Sequence, residues 1–177
     1  MTRLFMPAPG LRLVLASASP RRRRFLEDWG LPFTLFCPKE VEPSPISGES
    51  PEHYACRAAE TKTLAAAEQM KAQDALVLGA DTVVAIDGNI LGKPRDAGNA
   101  LDMLVCLSGR GHEVISAVCL LLPDGRRKIF PTRAGFFFRE YLQKNVLFIC
   151  YLRNHKEEVC RNAQNVIARI SLKMVSI

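Results

Sequence analysis

The chain has 177 residues, of which 48% are hydrophobic and 24% are charged, and its formal net charge is +6. This length suits a single domain, or one domain with a small additional lobe, and the composition excludes global disorder. The longest apolar run, 146–152, is far shorter than the roughly 20 residues that span a bilayer, so no membrane association is expected.

The positive charge is concentrated in the C-terminal part of the chain. Residues 1–130 contain 16 Lys/Arg against 15 Asp/Glu, whereas residues 131–177 contain 8 against 3. Nucleic-acid binding by the main domain is therefore not expected. The six cysteines form no C-x-x-C pair and most lie in apolar runs, which indicates reduced core cysteines and a cytoplasmic protein.

The first elements alternate between strand and helix patterns. Residues 12–16 are an apolar run typical of a buried strand. Ser19, followed by proline, predicts the N-cap of a helix that ends near Gly30. Residues 33–37 predict a second strand, which a proline-rich connection separates from the next helix.

A second helix is predicted to begin after Ser50, with proline and glutamate in its first turn, and to end near 71–73. Two short strands are predicted next, at 75–79 and at 82–86, and Asp87-Gly88 predicts a turn after them.

The remaining pattern contains one helix and two longer strands. Asp96 predicts the N-cap of a third helix, which ends at Gly109. Residues 113–122 predict a long strand, and a Pro-Asp-Gly turn leads into another strand that ends at about Pro131. Helices that alternate with strands early, and strands that cluster later, predict an α/β (α+β) fold with a mixed twisted β-sheet and flanking helices.

Residues 17–22 (Ser-Ala-Ser-Pro-Arg-Arg) form the first of three clusters that are candidates for a functional site. They lie at a strand-to-helix junction, where free backbone N–H groups and the helix dipole favour an anion. Arginine adds a fork of donors for phosphate. A well-capped helix with a solvated basic face is the alternative interpretation of this cluster.

Two further clusters follow along the chain. Residues 79–82 (Gly-Ala-Asp-Thr) place Asp81 beyond an apolar strand, where a carboxylate is either a metal ligand or base, or a turn residue bonded to the backbone. Residues 91–94 (Leu-Gly-Lys-Pro) place Lys93 where it either neutralises a phosphate or is a solvated turn residue. The spacing is not that of a Walker loop.

Together these clusters resemble the Maf family of nucleoside triphosphate pyrophosphatases, whose fold is of the Maf/ITPase type. The motifs that carry the resemblance are L-A-S-A-S-P-R-R at 15–22, G-A-D-T-V-V at 79–84, D-G-x-I-L-G-K-P at 87–94 and L-S-G-R-x-H-x-V at 107–114. Their order and spacing also fit, over roughly 120 residues.

The resemblance implies roles for individual residues. Asp81 corresponds to the family's proton acceptor, and Glu42 corresponds to an acid of its site. The residues implied to bind the substrate are Ser19, Arg21, Arg22, Lys62, Thr82 and Lys93. The S-P-R-R and G-A-D-T combination resembles the subgroup that acts on dTTP and UTP, since Arg21 and Thr82 match positions that tune base selectivity.

The chemistry implied by this resemblance is metal-assisted hydrolysis of a nucleoside triphosphate. A triphosphate carries several negative charges, so its site needs cations and a divalent metal, Mg²⁺ or Mn²⁺. Asp81 and Glu42 would hold that metal by oxygen ligands, and Asp81 would also orient or deprotonate water. Attack at the α-phosphorus would release pyrophosphate. The sequence leaves open whether the protein forms a homodimer.

The resemblance fades after about Thr132. We expect a Maf-like domain at 1–132, followed at 133–177 by an atypical basic segment that is partly helical. The family's D-K-A-G-x-Y-x-x-Q-G and G-L-P motifs have no counterpart, and residues 136–177 contain no glycine, proline or aspartate. Two alternatives to the pyrophosphatase therefore remain: a catalytically impaired Maf-like remnant, and a nucleotide- or nucleic-acid-binding protein without catalysis.

Overall fold

The computed structural model describes residues 10–39, 42–71 and 74–138. These residues form three helices: α1 (Pro20–Asp28), α2 (Pro51–Met70) and α3 (Ala97–Leu107). They also form six strands: β1 (Arg12–Ala16), β2 (Thr34–Phe36), β3 (Ala75–Ile86), β4 (Asn89–Leu91), β5 (Gly111–Leu121) and β6 (Arg127–Phe137). No helix in these three ranges is long and apolar enough to cross a membrane.

The six strands belong to one mixed sheet, which confirms the α/β fold class. The strand order is β2-β1-β3-β5-β6, and β4 pairs with β3 outside this path. Strand β1 runs parallel to both β2 and β3, with Val14 opposite Val77, whereas β4 is antiparallel to β3.

The described residues divide into two compact units, one formed by residues between 10 and 81 together with 116–132, the other by residues 82–115 together with 133–138. In the first unit, β1 is buried on both faces, as expected for a parallel central strand. One face packs Val14 and Ala16 against Ala66 of α2, and the other packs Leu13 and Leu15 against Leu26 of α1. The core of the second unit consists of Val84, Ile86, Leu107 and Val114.

The predicted helix boundaries are confirmed where a capping signal marks them. Ser19 occupies the N-cap of α1, the hydroxyl of Ser50 accepts from the backbone N–H of His53, and the carboxylate of Asp96 accepts from the backbone N–H of Asn99 at 2.8 Å. Helix α2 ends at Met70, and its C-cap residue Lys71 adopts the left-handed conformation that closes many helices.

Three strand predictions are wrong in extent. The two strands predicted at 75–79 and 82–86 are one twelve-residue strand, β3, so Asp81 lies within a strand rather than after one. Gly79, where the first of these strands was predicted to end, lies inside β3 and allows a close approach of α2. Strand β4 was not predicted, and β6 continues to Phe137, well beyond Pro131.

The four described cysteines are free, as expected. Among these four, only Cys119 is buried, so the prediction of core cysteines is wrong for Cys37, which is exposed. The helix prediction within 139–177, like Cys150 and Cys160, lies outside the described residues.

Candidate active site

The turn between β1 and α1 is organised around the buried hydroxyl of Ser17. This oxygen accepts from the backbone N–H of Ser19 at 3.1 Å and from Nη1 of Arg22 at 3.3 Å. Ser19 is the N-cap of α1, but its own side chain makes no capping hydrogen bond. The hydroxyl of Ser19 therefore stands at a helix N-terminus, where the backbone and its dipole favour an anion.

The side chain of Arg22 connects α1 to β3. Its Nη1 donates to the backbone carbonyl of Ala80 at 2.9 Å, directly before Asp81 in the chain. Burial lowers the pKa of Arg22, the charge of Asp81 opposes that shift, and the charge of Arg21 adds to it. Arg22 thus orders the backbone next to Asp81, besides contributing positive charge to this part of the unit.

Lys62 on α2 and Asp81 on β3 form an ion pair within the first unit. Nζ of Lys62 donates to Oδ1 of Asp81. The side chain of Asp81 is 10% exposed and that of Lys62 is 22% exposed, so the pair is largely shielded from water but still reachable from solvent. Such a pair fixes the orientation of the carboxylate, because both groups are held by regular secondary structure.

The register of this ion pair depends on a close approach between Gly79 and α2. A Cβ atom at Gly79 would lie 2.2 Å from Oγ1 of Thr63 and 3.2 Å from the carbonyl oxygen of Ala59. The hydroxyl of Thr63 donates to that same carbonyl at 2.7 Å, one turn back along the helix. Only glycine leaves room for this contact, which places Lys62 beside Asp81.

Glu42 lies in the connection before α2 and is exposed. Its position relative to the site is indicated by Tyr54, a buried residue of α2. Burial raises the pKa of Tyr54, and the negative charges of Asp81 and Glu42 raise it further. The phenol therefore lies within electrostatic reach of both carboxylates that the sequence suggested as metal ligands.

These residues fit a metal that arrives with a phosphate substrate better than a metal held by protein alone. Within the described ranges, no group of three or more His, Cys, Asp or Glu side chains is placed to hold a metal ion. Asp81 and Glu42 would supply two carboxylates. Mg²⁺ commonly binds through one or two carboxylates, with water and substrate phosphates completing its octahedron.

Two of the predicted substrate-binding residues belong to the second unit. Thr82 follows Asp81 in β3 and is half-buried. Lys93 follows β4 and is exposed, in the Gly-Lys-Pro segment that precedes α3. Six of the eight predicted site residues lie in the first unit: Ser19, Arg21, Arg22, Glu42, Lys62 and Asp81.

Sequence reasoning missed three residues beside the site. Arg57 donates to the carboxylate of Glu49 from Nε at 2.7 Å and from Nη2 at 2.6 Å. Tyr54 lies one turn before Arg57 on α2, with the guanidinium carbon 5.5 Å from the centre of its ring. The spacing of Tyr54 and Arg57, three positions apart on a predicted helix, was the signal that they share a face.

His112 is a buried residue of the second unit. Its ring stacks on Phe138 with centroids 4.9 Å apart and lies 6.0 Å from Phe136. Among the described residues, neither ring nitrogen has a hydrogen-bond partner of normal geometry. Burial lowers the pKa of His112, while the nearby backbone of Arg110 acts in the opposite direction. These contacts support a packing role.

The sequence model of the Maf-like protein family matches residues 12–148. The chain is 53% identical over 118 residues to a dTTP/UTP pyrophosphatase of Nitratidesulfovibrio vulgaris, a match that covers 67% of this chain and 55% of that protein. It is 51% identical over 119 residues to a dTTP/UTP pyrophosphatase of Methylococcus capsulatus, covering 67% of this chain and 58% of that protein. The chain therefore spans about half the length of the curated relatives it matches.

Solved structures also show similarity. One is a nucleoside-triphosphatase, dITP/XTP pyrophosphatase, of Mycobacterium abscessus, with a TM-score of 0.45, 24% identity and coverage of 71% of this chain and 72% of that chain. Another is a HAM1 protein of Coxiella burnetii, with a TM-score of 0.46, 18% identity and coverage of 71% of each chain.

Proposed function

The chain belongs to the Maf-like protein family, and we propose that it hydrolyses nucleoside triphosphates, dTTP and UTP foremost, to the monophosphate and pyrophosphate. The observation that carries this proposal is the shielded ion pair between Lys62 and Asp81, in the same unit as the β1–α1 turn. The choice of dTTP and UTP is supported by relatives that are named dTTP/UTP pyrophosphatase and are up to 53% identical to this chain over 118 residues. The family resemblance also implies that Arg21 and Thr82 match positions that tune base selectivity.

The proposed reaction is a single displacement by water. The water oxygen bonds to the α-phosphorus, and the bond from that phosphorus to the bridging oxygen of the β-phosphate breaks. The monophosphate keeps the water oxygen, and pyrophosphate leaves with the bridging oxygen. Asp81 accepts the proton that water loses, so the step needs no covalent intermediate with the protein.

The residues of the first unit divide the remaining tasks. Ser19 and the first N–H groups of α1 bind phosphate oxygens, and Arg21 supplies a charged fork. Lys62 orients Asp81 and neutralises charge on the phosphates. Arg22 holds the backbone at Ala80, so Asp81 stays aligned with the β1–α1 turn. In the second unit, we assign Thr82 and Lys93 to the base and the phosphates as the family resemblance implies.

A divalent cation, Mg²⁺ or Mn²⁺, would be held by Asp81 and Glu42 together with the triphosphate. When bound it would neutralise phosphate charge and favour departure of pyrophosphate. This assignment is supported by Tyr54, whose pKa is raised by burial and further by the negative charges of both Asp81 and Glu42.

The proposal is tested by pyrophosphate release from dTTP, UTP, CTP and GTP with Mg²⁺ or Mn²⁺. Wild type is compared with Asp81→Asn and with Asp102→Asn, a matched substitution at an exposed position of α3. We expect release from dTTP and UTP that is lost in Asp81→Asn and retained in Asp102→Asn. Binding of nucleotide by folded wild type, with no release from any of the four, would instead support a binding protein or an impaired remnant.

A further inference from the structure

The segment that follows Glu42 is tied to α2 by the side chains of Glu49, Tyr54 and Arg57, which we call the clamp. Tyr54 donates its hydroxyl to the carbonyl of Pro43 at 3.0 Å, and Nη2 of Arg57 donates to the carbonyl of Ser44 at 2.9 Å. These two carbonyls belong to the two residues that come directly after Glu42.

The far end of the same segment is held by the same guanidinium. Arg57 makes a two-pronged contact with the carboxylate of Glu49 at 2.7 and 2.6 Å. That carboxylate also accepts from the backbone N–H of Ile46 at 3.1 Å. Bidentate arginine–carboxylate pairs are directional as well as strong, so the segment is fixed in orientation and not merely attached.

The clamp and Lys62 share one rigid element. Arg57 and Lys62 are five residues apart on α2, which corresponds to about 7.5 Å along the helix axis. Lys62 pairs with Asp81, while Arg57 and Tyr54 hold the backbone beside Glu42. Helix α2 thus fixes the carboxylate of Asp81 through a side-chain pair and also holds the backbone that directly follows Glu42.

We infer that Arg57 is a positioning residue, which acts with Tyr54 and Glu49 to present the carboxylate of Glu42 to a metal-bound triphosphate at Asp81. This inference rests on the proposed function. Arg57 itself does not contact the substrate in this arrangement. Glu42 occupies an irregular, exposed stretch, and without the clamp its backbone would have to be ordered at each binding event.

The test measures Mn²⁺ binding by electron paramagnetic resonance in the presence of a dTTP analogue whose α,β-bridge cannot be hydrolysed. The variants are Arg57→Met, Glu42→Gln and the double variant. Arg127→Met is the matched control, because Arg127 also pairs with a glutamate of α2, Glu60, away from this segment. Arg57→Lys tests whether a positive charge without the forked guanidinium group is sufficient for normal Mn²⁺ binding.

We expect Arg57→Met to weaken Mn²⁺ binding by about tenfold, as is usual when a residue that supports a metal ligand is lost. Glu42→Gln should weaken binding at least as much, and the double variant should be no weaker than Glu42→Gln alone, since Arg57 acts through Glu42. Arg127→Met should bind as wild type does. Additive losses in the double variant, or unchanged binding in Arg57→Met, would overturn the inference.

Hydrogen exchange of residues 43–50 supplies a readout that needs neither metal nor turnover. Exchange should be faster in Arg57→Met and unchanged in Arg127→Met. Unchanged exchange in both would also overturn the inference. If Arg57→Met does not fold, Tyr54→Phe replaces it, because this change removes only the hydrogen bond to the carbonyl of Pro43. Tyr54→Phe should also weaken Mn²⁺ binding and speed hydrogen exchange of residues 43–50, by smaller amounts than Arg57→Met. Absence of pyrophosphate release by wild type would contradict the proposed function separately, because neither readout here depends on hydrolysis.

Discussion

The ammonium group of Lys62 on α2 donates a hydrogen bond to the carboxylate of Asp81 on β3, in a position that is largely shielded from water. Replacing Lys62 by Met keeps most of the side-chain length but removes the donor and the charge. We expect kcat for dTTP to fall by about 10²–10³, the usual cost of losing one donor that stabilises developing charge.

The same change leaves Asp81 without its ammonium partner, so the free energy of unfolding should fall by about 1–3 kcal/mol. Activity is therefore compared at a temperature at which urea titration shows both proteins folded. Lys128→Met, at an exposed position of β6, is the control. Equal kcat in wild type and Lys62→Met would contradict the role assigned to the ion pair.

Gly79→Ala should destabilise the protein, because the new methyl group meets Thr63 and the backbone of Ala59. Overpacking of this kind costs about 1–3 kcal/mol. It should also lower kcat, since any shift of α2 moves Lys62 away from Asp81. Thermal unfolding and pyrophosphate release measure the two effects.

Adding Thr63→Ala to Gly79→Ala should restore part of both losses, because it removes the hydroxyl at 2.2 Å but not the Ala59 carbonyl at 3.2 Å. Gly135→Ala is the control, since a Cβ atom there would meet nothing within 4 Å. The steric account fails if Gly79→Ala is as stable and as active as Gly135→Ala.

Arg22→Met should lower stability by about 1.5–3 kcal/mol, because hydrogen bonds from a charged donor to the Ala80 carbonyl and the Ser17 hydroxyl are lost. Arg22→Lys should recover little of this loss, since a single ammonium cannot reproduce the guanidinium fork. Urea denaturation measures the difference, with Arg24→Met, at an exposed position of the same helix, as the control. A loss no larger than that of Arg24→Met would mean that the Ala80 contact contributes nothing.

The pair between Glu49 and Arg57 makes a specific contribution to the pH dependence of stability. The hydrogen bond from Arg57 lowers the pKa of Glu49 from 4.5 to about 2. Because the folded state holds Glu49 ionised more strongly than the unfolded state does, this contribution is complete above pH 4.5 and is lost as the pH falls towards 2.

Wild type should therefore be more stable than Glu49→Gln at pH 6, and the gap should narrow steadily as the pH falls below 4.5. Melting temperatures from pH 6 downwards, as far as wild type remains folded, measure this. Glu68→Gln, at an exposed position of α2, should show no comparable trend. If the difference in melting temperature between wild type and Glu49→Gln does not change with pH, the ion pair between Glu49 and Arg57 is not its cause.

The sequence was sufficient for features that depend on local signals. Ser50 and Asp96 mark helix starts because their side-chain oxygens satisfy backbone donors within the same turn. The alternating and continuous apolar runs predicted the strands of a mixed sheet, and the motif order led to the correct family.

The errors arose where tertiary contacts decide the outcome. The first of two separate strands was predicted to end at Gly79, but β3 continues through it. Glycine is needed at this position because α2 approaches too closely for any side chain. The contact between Arg57 and Glu49 joins a helix to an irregular segment, and no periodicity in the sequence reports such a pairing. The pairing of Lys62 with Asp81 likewise depends on how α2 packs on β3. The family resemblance placed these two residues in one site but did not predict that they pair.

The most direct test of the central claim is hydrolysis of dTTP in ¹⁸O-labelled water, followed by the masses of both products. Attack by water at the α-phosphorus predicts one ¹⁸O atom in the monophosphate, none in the pyrophosphate, and loss of both products in Asp81→Asn. Label in the pyrophosphate, or equal turnover in Asp81→Asn, would contradict the mechanism proposed for this chain.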